Sequence, residues 1–125
     1  MSYDLAVWEG DKPADNAIAR DVFTRLYDRY IDTDEEFPPS PRIAEYVAAL
    51  LARWVDLTED EEGTSPWSTG PLIGEAAGPL IYFPMRYNTA EEASAYAAEV
   101  AASMGLVCFD PQAGGGLRPY PSQEA

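Results

Sequence analysis

The first periodic segment of the chain alternates between two faces. In "YDLAVW" (residues 3–8), Leu5 and Val7 fall on one side, Ala6 and Trp8 fall on the other, and a glycine follows shortly afterwards. A period of two residues is typical of a half-buried strand. The pattern predicts a first strand, and it leaves open whether Trp8 on the second face is core or exposed.

An amphipathic helix is predicted after this strand. Apolar side chains recur at every fourth position, at Ile18, Val22, Leu26 and Tyr30, with charged residues between them. The segment "DTDEEFPPS" (residues 32–40) then contains two consecutive prolines, which lack amide donors and disfavour helical angles in the residue before them. This segment therefore ends the helix.

Two further helices are predicted from the signals at their ends. Ser40 is a suitable cap and Pro41 a suitable first residue for the second helix, which continues with a wide apolar stripe. Thr89 and Glu92 have the spacing of a capping box for the third helix. Gly105 lies where that helix needs a residue in the left-handed conformation, so the helix is expected to end there.

The order of these elements predicts the fold class. Short apolar runs between glycines and prolines in residues 67–87 predict paired strands, and "LVCF" (residues 106–109) predicts a last strand. Strand, helix, helix, paired strands, helix and strand is the split βαβ order. We therefore expect an α+β, ferredoxin-like domain over residues 1–112, with an antiparallel sheet and one additional inserted helix. Residues 113–125 are rich in glycine and proline and predict a flexible tail, with at most a short edge strand at Leu117.

The net charge of the chain disfavours negatively charged ligands. The 125 residues contain 22 acids, 8 basic residues and no histidine, which gives a formal net charge of −14. A field of this sign repels phosphate backbones and anionic lipid surfaces, so neither nucleic acid nor a membrane is expected as a partner. The chain begins without a signal-peptide pattern and contains a single cysteine, which together predict a cytoplasmic location.

The sequence contains few side chains that are suited to catalysis. Cys108 has no histidine to activate it, and no basic residue occurs between Tyr87 and Arg118, so we expect it to fill the core. A lone thiol without imidazoles disfavours a transition-metal site. The two acidic runs lack the ordered spacing of a calcium loop, which favours solvated loops over a site for a divalent cation. No catalytic residue, metal or cofactor is expected.

The chain is therefore predicted to be a non-enzymatic binding domain for a basic protein. Aromatic side chains commonly anchor interfaces, and acidic neighbours steer a basic partner. We expect Trp67 to be the anchor. The residues expected to steer the partner lie in the two acidic runs: Asp34, Glu35, Glu36, Glu59, Asp60, Glu61 and Glu62.

Two alternatives stay open at this stage. A small-ligand-binding or enzymatic domain of the ferredoxin-like type would have a pocket between the sheet and the helices, using Tyr82, Arg86, Tyr87 and Asp110 as its polar groups. A homodimer would instead form through the open sheet face or an edge strand.

Both ends of the chain resemble one group of proteins. "SYDLAVWEG" (residues 2–10) and "LVCFDPQ" (residues 106–112) are similar to the ends of a group of short uncharacterised bacterial proteins. The resemblance implies a small α+β domain and no catalytic residues. In size and acidity the chain is also similar in type to the immunity proteins of bacterial toxin systems, so an immunity-like or antitoxin-like inhibitor is the most concrete form of the predicted function.

Overall fold

The computed structural model describes residues 2–112 and 116–118. The described residues form a five-stranded antiparallel sheet and three α-helices, which confirms an α+β fold. The strands are β1 (Ser2–Trp8), β2 (Ala76–Ala77), β3 (Leu80–Arg86), β4 (Val107–Phe109) and β5 (Leu117–Arg118). The helices are α1 (Asn16–Leu26), α2 (Pro41–Arg53) and α3 (Ala90–Ser103).

Strand β1 lies at the centre of the sheet. The strand order is β2-β3-β1-β4-β5, and every neighbouring pair is antiparallel. Leu5 lies opposite Phe83 on β3, and Ala6 lies opposite Phe109 on β4. The short edge strand expected at Leu117 is present as β5. The rest of the predicted tail, residues 113–115 and 119–125, lies outside the described residues.

The alternation in β1 distributes the core over both faces of the sheet. Leu5 and Val7 pack with α2 and α3, whereas Ala6 and Trp8 pack with α1. Trp8 is 1% exposed, because α1 covers the second face of the sheet. The question that the sequence left open at Trp8 is thus decided in favour of the core.

The ferredoxin-like, split βαβ topology that was predicted from the order of the elements is not confirmed by the strand order. Helices cover both faces of the sheet, with α1 on one side and α2 and α3 on the other, and β5 extends the sheet at one edge. The structure therefore supports the α+β class with an antiparallel sheet.

Helix α1 buries only part of the predicted apolar stripe, since Val22 and Leu26 pack against the second sheet face and Ile18 does not. Ile18 is 44% exposed, while Ala19 is fully buried and Phe23 lies against the second sheet face. The ring of Phe23 stacks on Trp8 with a centroid separation of 6.4 Å, which fixes the rotation of the helix. The prediction at Ile18 was wrong because the buried stripe runs through Ala19, Val22, Phe23 and Leu26, at the helical spacing i, i+3, i+4 and i+7, and Ile18 lies beside it.

The two other helices confirm most of their predicted ends. Ser40 caps α2 by accepting a hydrogen bond from the Ile43 N–H at 3.2 Å. Gly105 follows α3 with φ of +73°, as expected for the left-handed residue after a helix. The capping box was wrong, because the Thr89 hydroxyl donates to the Arg86 carbonyl and no side-chain hydrogen bond caps the first turn.

Candidate binding groove

A groove of about 520 Å³ opens beside the end of α1. Aromatic rings and carboxylates from four separate parts of the chain line it. We call this site the acidic groove and define it by the side chains Tyr27, Tyr30, Glu35, Glu36, Phe37, Glu75 and Tyr82.

A widened helical turn supplies the first wall of the groove. Residues Tyr27–Ile31 continue α1 as a π-helix, in which the Asp32 N–H donates to the Tyr27 carbonyl at 2.8 Å. Both tyrosines of this turn, Tyr27 and Tyr30, line the groove. Short π-helical segments frequently occur at functional sites.

The turn between β2 and β3 supports this wall. The Gly78 N–H donates to the Pro38 carbonyl at 3.1 Å, and the Ser40 N–H donates to the Gly78 carbonyl at 2.9 Å. Gly78 has φ of +55°, and a Cβ placed on it would lie 2.9 Å from Cε1 of Tyr30. Only glycine gives the turn this conformation without strain and lets the Tyr30 ring approach so closely.

Ring contacts hold the aromatic side chains of the groove in place. Tyr30 and Phe37 meet edge to face at a centroid distance of 4.9 Å, and Tyr27 meets Tyr82 in the same way at 5.7 Å. The Tyr82 hydroxyl donates to Asp4 Oδ2 at 3.2 Å. Burial, assisted by Asp4, raises the pKa of Tyr82 to about 12, so this phenol stays protonated.

The carboxylates of the groove are not neutralised by the fold. Within residues 2–112 and 116–118, Glu35, Glu36 and Glu75 form no ion pair, and no basic side chain lines the groove. Glu35 and Glu36 are exposed, whereas Glu75 is partly covered, and this burial raises the pKa of Glu75. The groove therefore combines negative charge with aromatic surface.

The second acidic run, residues 56–62, is organised differently. Asp56 is 7% exposed and accepts hydrogen bonds from the backbone N–H groups of Thr58 at 3.3 Å and Leu72 at 3.0 Å. Its carboxylate begins a short helical turn and holds the following loop against it. Asp56 therefore stabilises the fold and is not exposed to a partner.

Asp60 is also used internally, which corrects its predicted role in steering. Its carboxylate accepts the N–H groups of Thr64 at 2.8 Å and Ser65 at 2.9 Å, and it lies 3.7 Å from Nη2 of Arg86. The hydrogen bond from Ser65 makes the largest contribution to lowering the pKa of Asp60. The outward-facing acids of this run are Glu59, Glu61 and Glu62.

Trp67 does not lie on the surface, and its predicted role as an anchor was wrong. The residue is 0% exposed, and its ring packs edge to face on Trp54 at 5.8 Å and on Phe83 at 5.9 Å. Its backbone forms an antiparallel bridge with Met85 on β3. This pairing, which the surrounding prolines and glycines concealed in the sequence, places the side chain in the core.

The four residues of the alternative pocket are distributed over separate sites. Tyr82 lines the acidic groove, and Arg86 donates to the Gly63 carbonyl at 3.1 Å. Tyr87 is 59% exposed, and Asp110 is buried, where it accepts a hydrogen bond from the Tyr3 hydroxyl. The pocket predicted from these residues is therefore not assembled, because Tyr82 faces α1 while Tyr87 lies in the turn before α3.

Asp110 belongs instead to a polar cluster at the start of β1, whose other members sequence reasoning missed. The Tyr3 hydroxyl donates to Asp110 and accepts from Arg118 Nη1 at 3.2 Å. The Gln112 side chain pairs with the backbone of Asp4, accepting at 2.7 Å and donating at 2.9 Å. These contacts join both ends of the described chain, so we assign the cluster to the stability of the fold.

Cys108 lies in the core, as predicted. It is 1% exposed, and burial raises the pKa of its thiol to about 12. A thiol that stays protonated at neutral pH is a poor nucleophile.

The described residues contain neither a cluster suited to a metal ion nor a helix suited to cross a membrane. In the described part of the chain, no group of three or more cysteine, aspartate or glutamate side chains is arranged to hold a metal ion. None of the helices described has the length and apolar character needed to cross a membrane.

Comparisons with protein-family models, curated proteins and solved structures find no match for this chain. The site is therefore interpreted from its own geometry. Four groove residues, Tyr27, Tyr30, Phe37 and Glu75, were not among the predicted site residues. An aromatic residue on each side of the first acidic run was the available signal for Tyr30 and Phe37, whereas Glu75 reaches the groove only through the fold.

Proposed function

We propose that this protein binds a basic protein partner, which places a cationic side chain in the acidic groove. An immunity-like or antitoxin-like inhibitor acting in the cytoplasm is the most concrete form of this function. A ferredoxin-like description of the domain, with one additional helix inserted after the first crossover, belongs to the same proposal.

The observation that carries the proposal is the composition of the groove. Rings of Tyr27, Tyr30 and Phe37 lie with the carboxylates of Glu35 and Glu36, and in the described residues no basic side chain lines the space between them. A cation over an aromatic face gains about 0.5–1 kcal/mol at an exposed site and about 2 when desolvated. The negative charges of the two carboxylates attract the same cation and add to this gain.

The overall charge supports the same partner. A net charge of −14 creates a field that raises the encounter rate with a basic protein and slows encounter with acidic ones. Glu59, Glu61 and Glu62 contribute to this long-range field, while the groove provides the short-range contact.

Partner capture from extract of the source cells, with matched charge variants as bait, tests the proposal. E35K/E36K changes the groove, and E61K/E62K makes the same change in net charge in the second run. We expect a partner that the native protein and E61K/E62K retain at low salt, that E35K/E36K loses, and that high salt releases. A partner retained equally by both variants, or insensitive to salt, would contradict the proposal.

A second candidate is the binding of a small ligand between sheet and helix. The observation that favours it is a cleft of about 240 Å³ beside α3, lined by Leu106, Cys108, Leu117 and Arg118 among others. A ligand bound in this cleft is expected to raise the melting temperature of the native protein and of E35K/E36K by the same amount. A homodimer also stays a prediction, and light scattering at several concentrations decides it.

A further inference from the structure

The aromatic pair of the groove already contacts a guanidinium group of this chain. The Cζ atom of Arg29 lies 5.5 Å from the centroid of the Tyr30 ring and 6.0 Å from that of Phe37. Arg29 itself does not line the groove, so the same rings present further surface to the groove. The electron-rich surface of this pair is thus suited to a planar cation.

We infer that the acidic groove selects an arginine side chain of the basic partner over a lysine side chain. This inference rests on the proposed function and specifies the chemistry of its ligand.

The first argument is the shape of the two cations. A guanidinium group is planar, stacks on aromatic faces and presents five N–H donors in a rigid fork that matches carboxylates. The ammonium group of lysine is a compact charge without a stacking surface. Tyr27, Tyr30 and Phe37 line the groove with aromatic surface, and Glu35 and Glu36 supply adjacent carboxylates in one loop.

The second argument is the loss of water on entry. Glu75 is partly covered by the groove, so a cation that approaches it sheds part of its hydration shell. Guanidinium is more weakly hydrated than ammonium, and its transfer into such a site costs less. Desolvation and stacking therefore favour arginine together.

The test uses three synthetic peptides that differ in one kind of side chain. The arginine peptide is acetyl-Gly-Arg-Gly-Arg-Gly-amide, and its relatives carry lysine or the neutral citrulline in place of arginine. Each is titrated into the isotopically labelled full chain, and the ring signals of Tyr27, Tyr30 and Phe37 are followed by NMR. We expect the arginine peptide to bind about tenfold more tightly than the lysine peptide, and the citrulline peptide to leave these signals unchanged.

Variants locate the binding site. E35K/E36K is expected to abolish the shifts caused by the arginine peptide, and E61K/E62K is expected to leave most of them in place. A folded spectrum for each variant shows that a loss of binding is not a loss of structure.

The outcomes separate this inference from the proposed function. Equal affinity for the arginine and lysine peptides would overturn the arginine preference and leave the function standing. Absence of binding by all three peptides, with partner capture still lost in E35K/E36K, would also overturn the preference alone. Absence of peptide binding together with partner capture that is unaffected in E35K/E36K would overturn both.

Discussion

The two acidic runs of this chain are similar in sequence and different in structure. Both are short segments dense in aspartate and glutamate that follow a helix. In residues 32–36, Glu35 and Glu36 face a groove walled by aromatic rings. In residues 56–62, Asp56 and Asp60 instead accept hydrogen bonds from backbone N–H groups, both within their own loop and, for Asp56, from Leu72.

The difference shows that acidity alone does not identify a recognition surface. A carboxylate that accepts two or three N–H groups is committed to the fold, and its charge is partly compensated there. A carboxylate left beside aromatic surface keeps its charge available to a ligand. The backbone N–H groups within reach, rather than the local density of acids, separate the two roles.

The largest expected effect concerns Trp67, which follows the second run. Trp67→Ala removes a fully buried ring and is expected to lower the free energy of unfolding by about 3–5 kcal/mol. Urea denaturation measures this change, and Trp54→Ala, at a partly exposed position, is expected to cost less. If a Trp67→Phe variant of native stability bound the partner more weakly, Trp67 would contribute to the interface, and the second run would be part of the recognition surface.

A smaller effect is expected when one acid is removed from each run. Asp56→Ala leaves the N–H groups of Thr58 and Leu72 without their acceptor, so we expect a loss of about 1–3 kcal/mol in the free energy of unfolding. Glu36→Ala removes an exposed carboxylate and is expected to change stability by less than about 0.5 kcal/mol. If denaturant melts gave similar values for both variants, the two runs would not differ in the way described.

Two glycines test how the first run is held in place. Gly78→Ala and Gly63→Ala both place a side chain at positive φ, at +55° and +69° respectively, and each is expected to cost about 1 kcal/mol for that reason. The added Cβ at residue 78 also meets the Tyr30 ring, whereas the Cβ at residue 63 meets nothing within 4 Å. We therefore expect the larger loss of stability, and the loss of arginine-peptide binding, for Gly78→Ala. Equal effects in thermal melts and titrations would show that Gly78 does not support the groove.

The smallest expected effect is a pair of opposite pH dependences. Burial raises the pKa of Glu75 above its ordinary value of 4.5, so the folded state binds more protons there, and stability falls as pH rises through this raised pKa. The pKa of Asp60 is lowered from 3.8, so its contribution is present above that pH and is lost as pH falls through the lowered pKa. Unfolding measured from acidic to neutral pH tests both signs.

Neutral variants assign each slope to its residue. Glu75→Gln removes a partly buried charge, so the free energy of unfolding at neutral pH is expected to rise. The expected rise is only a few tenths of a kcal/mol, because solvent screens this half-exposed group. Asp60→Asn is expected to lose stability at neutral pH and to approach the native protein as pH falls. A gain for Asp60→Asn at neutral pH would contradict its role in closing the second loop.

Local signals predicted many of the individual elements. The alternation around Leu5 and Val7, the cap at Ser40 and the left-handed glycine at residue 105 depend on neighbouring residues only, and each is found in the structure. Cys108 was placed in the core because its neighbours are strand formers and no histidine is present. These predictions needed no knowledge of distant contacts.

The candidate site was predicted only in part. Glu35 and Glu36 were named from their charge, but their aromatic partners come together through the π-helical turn and the β2–β3 turn. Glu75 lies far from them in sequence and enters the groove through sheet pairing and the loop before β2. The predicted anchor, Trp67, is buried because its backbone pairs with Met85, a contact that no local pattern indicates.

The sequence by itself determined the α+β class, the strong negative charge and the inert environment of the cysteine, because composition and short-range periodicity are properties of the chain before it folds. Tertiary structure alone decided which acids are available to a ligand, which aromatic rings surround them and that Ala19 rather than Ile18 is buried in the first turn of α1. Those outcomes depend on hydrogen bonds and ring contacts between segments distant in sequence, and such contacts exist only once the sheet has formed.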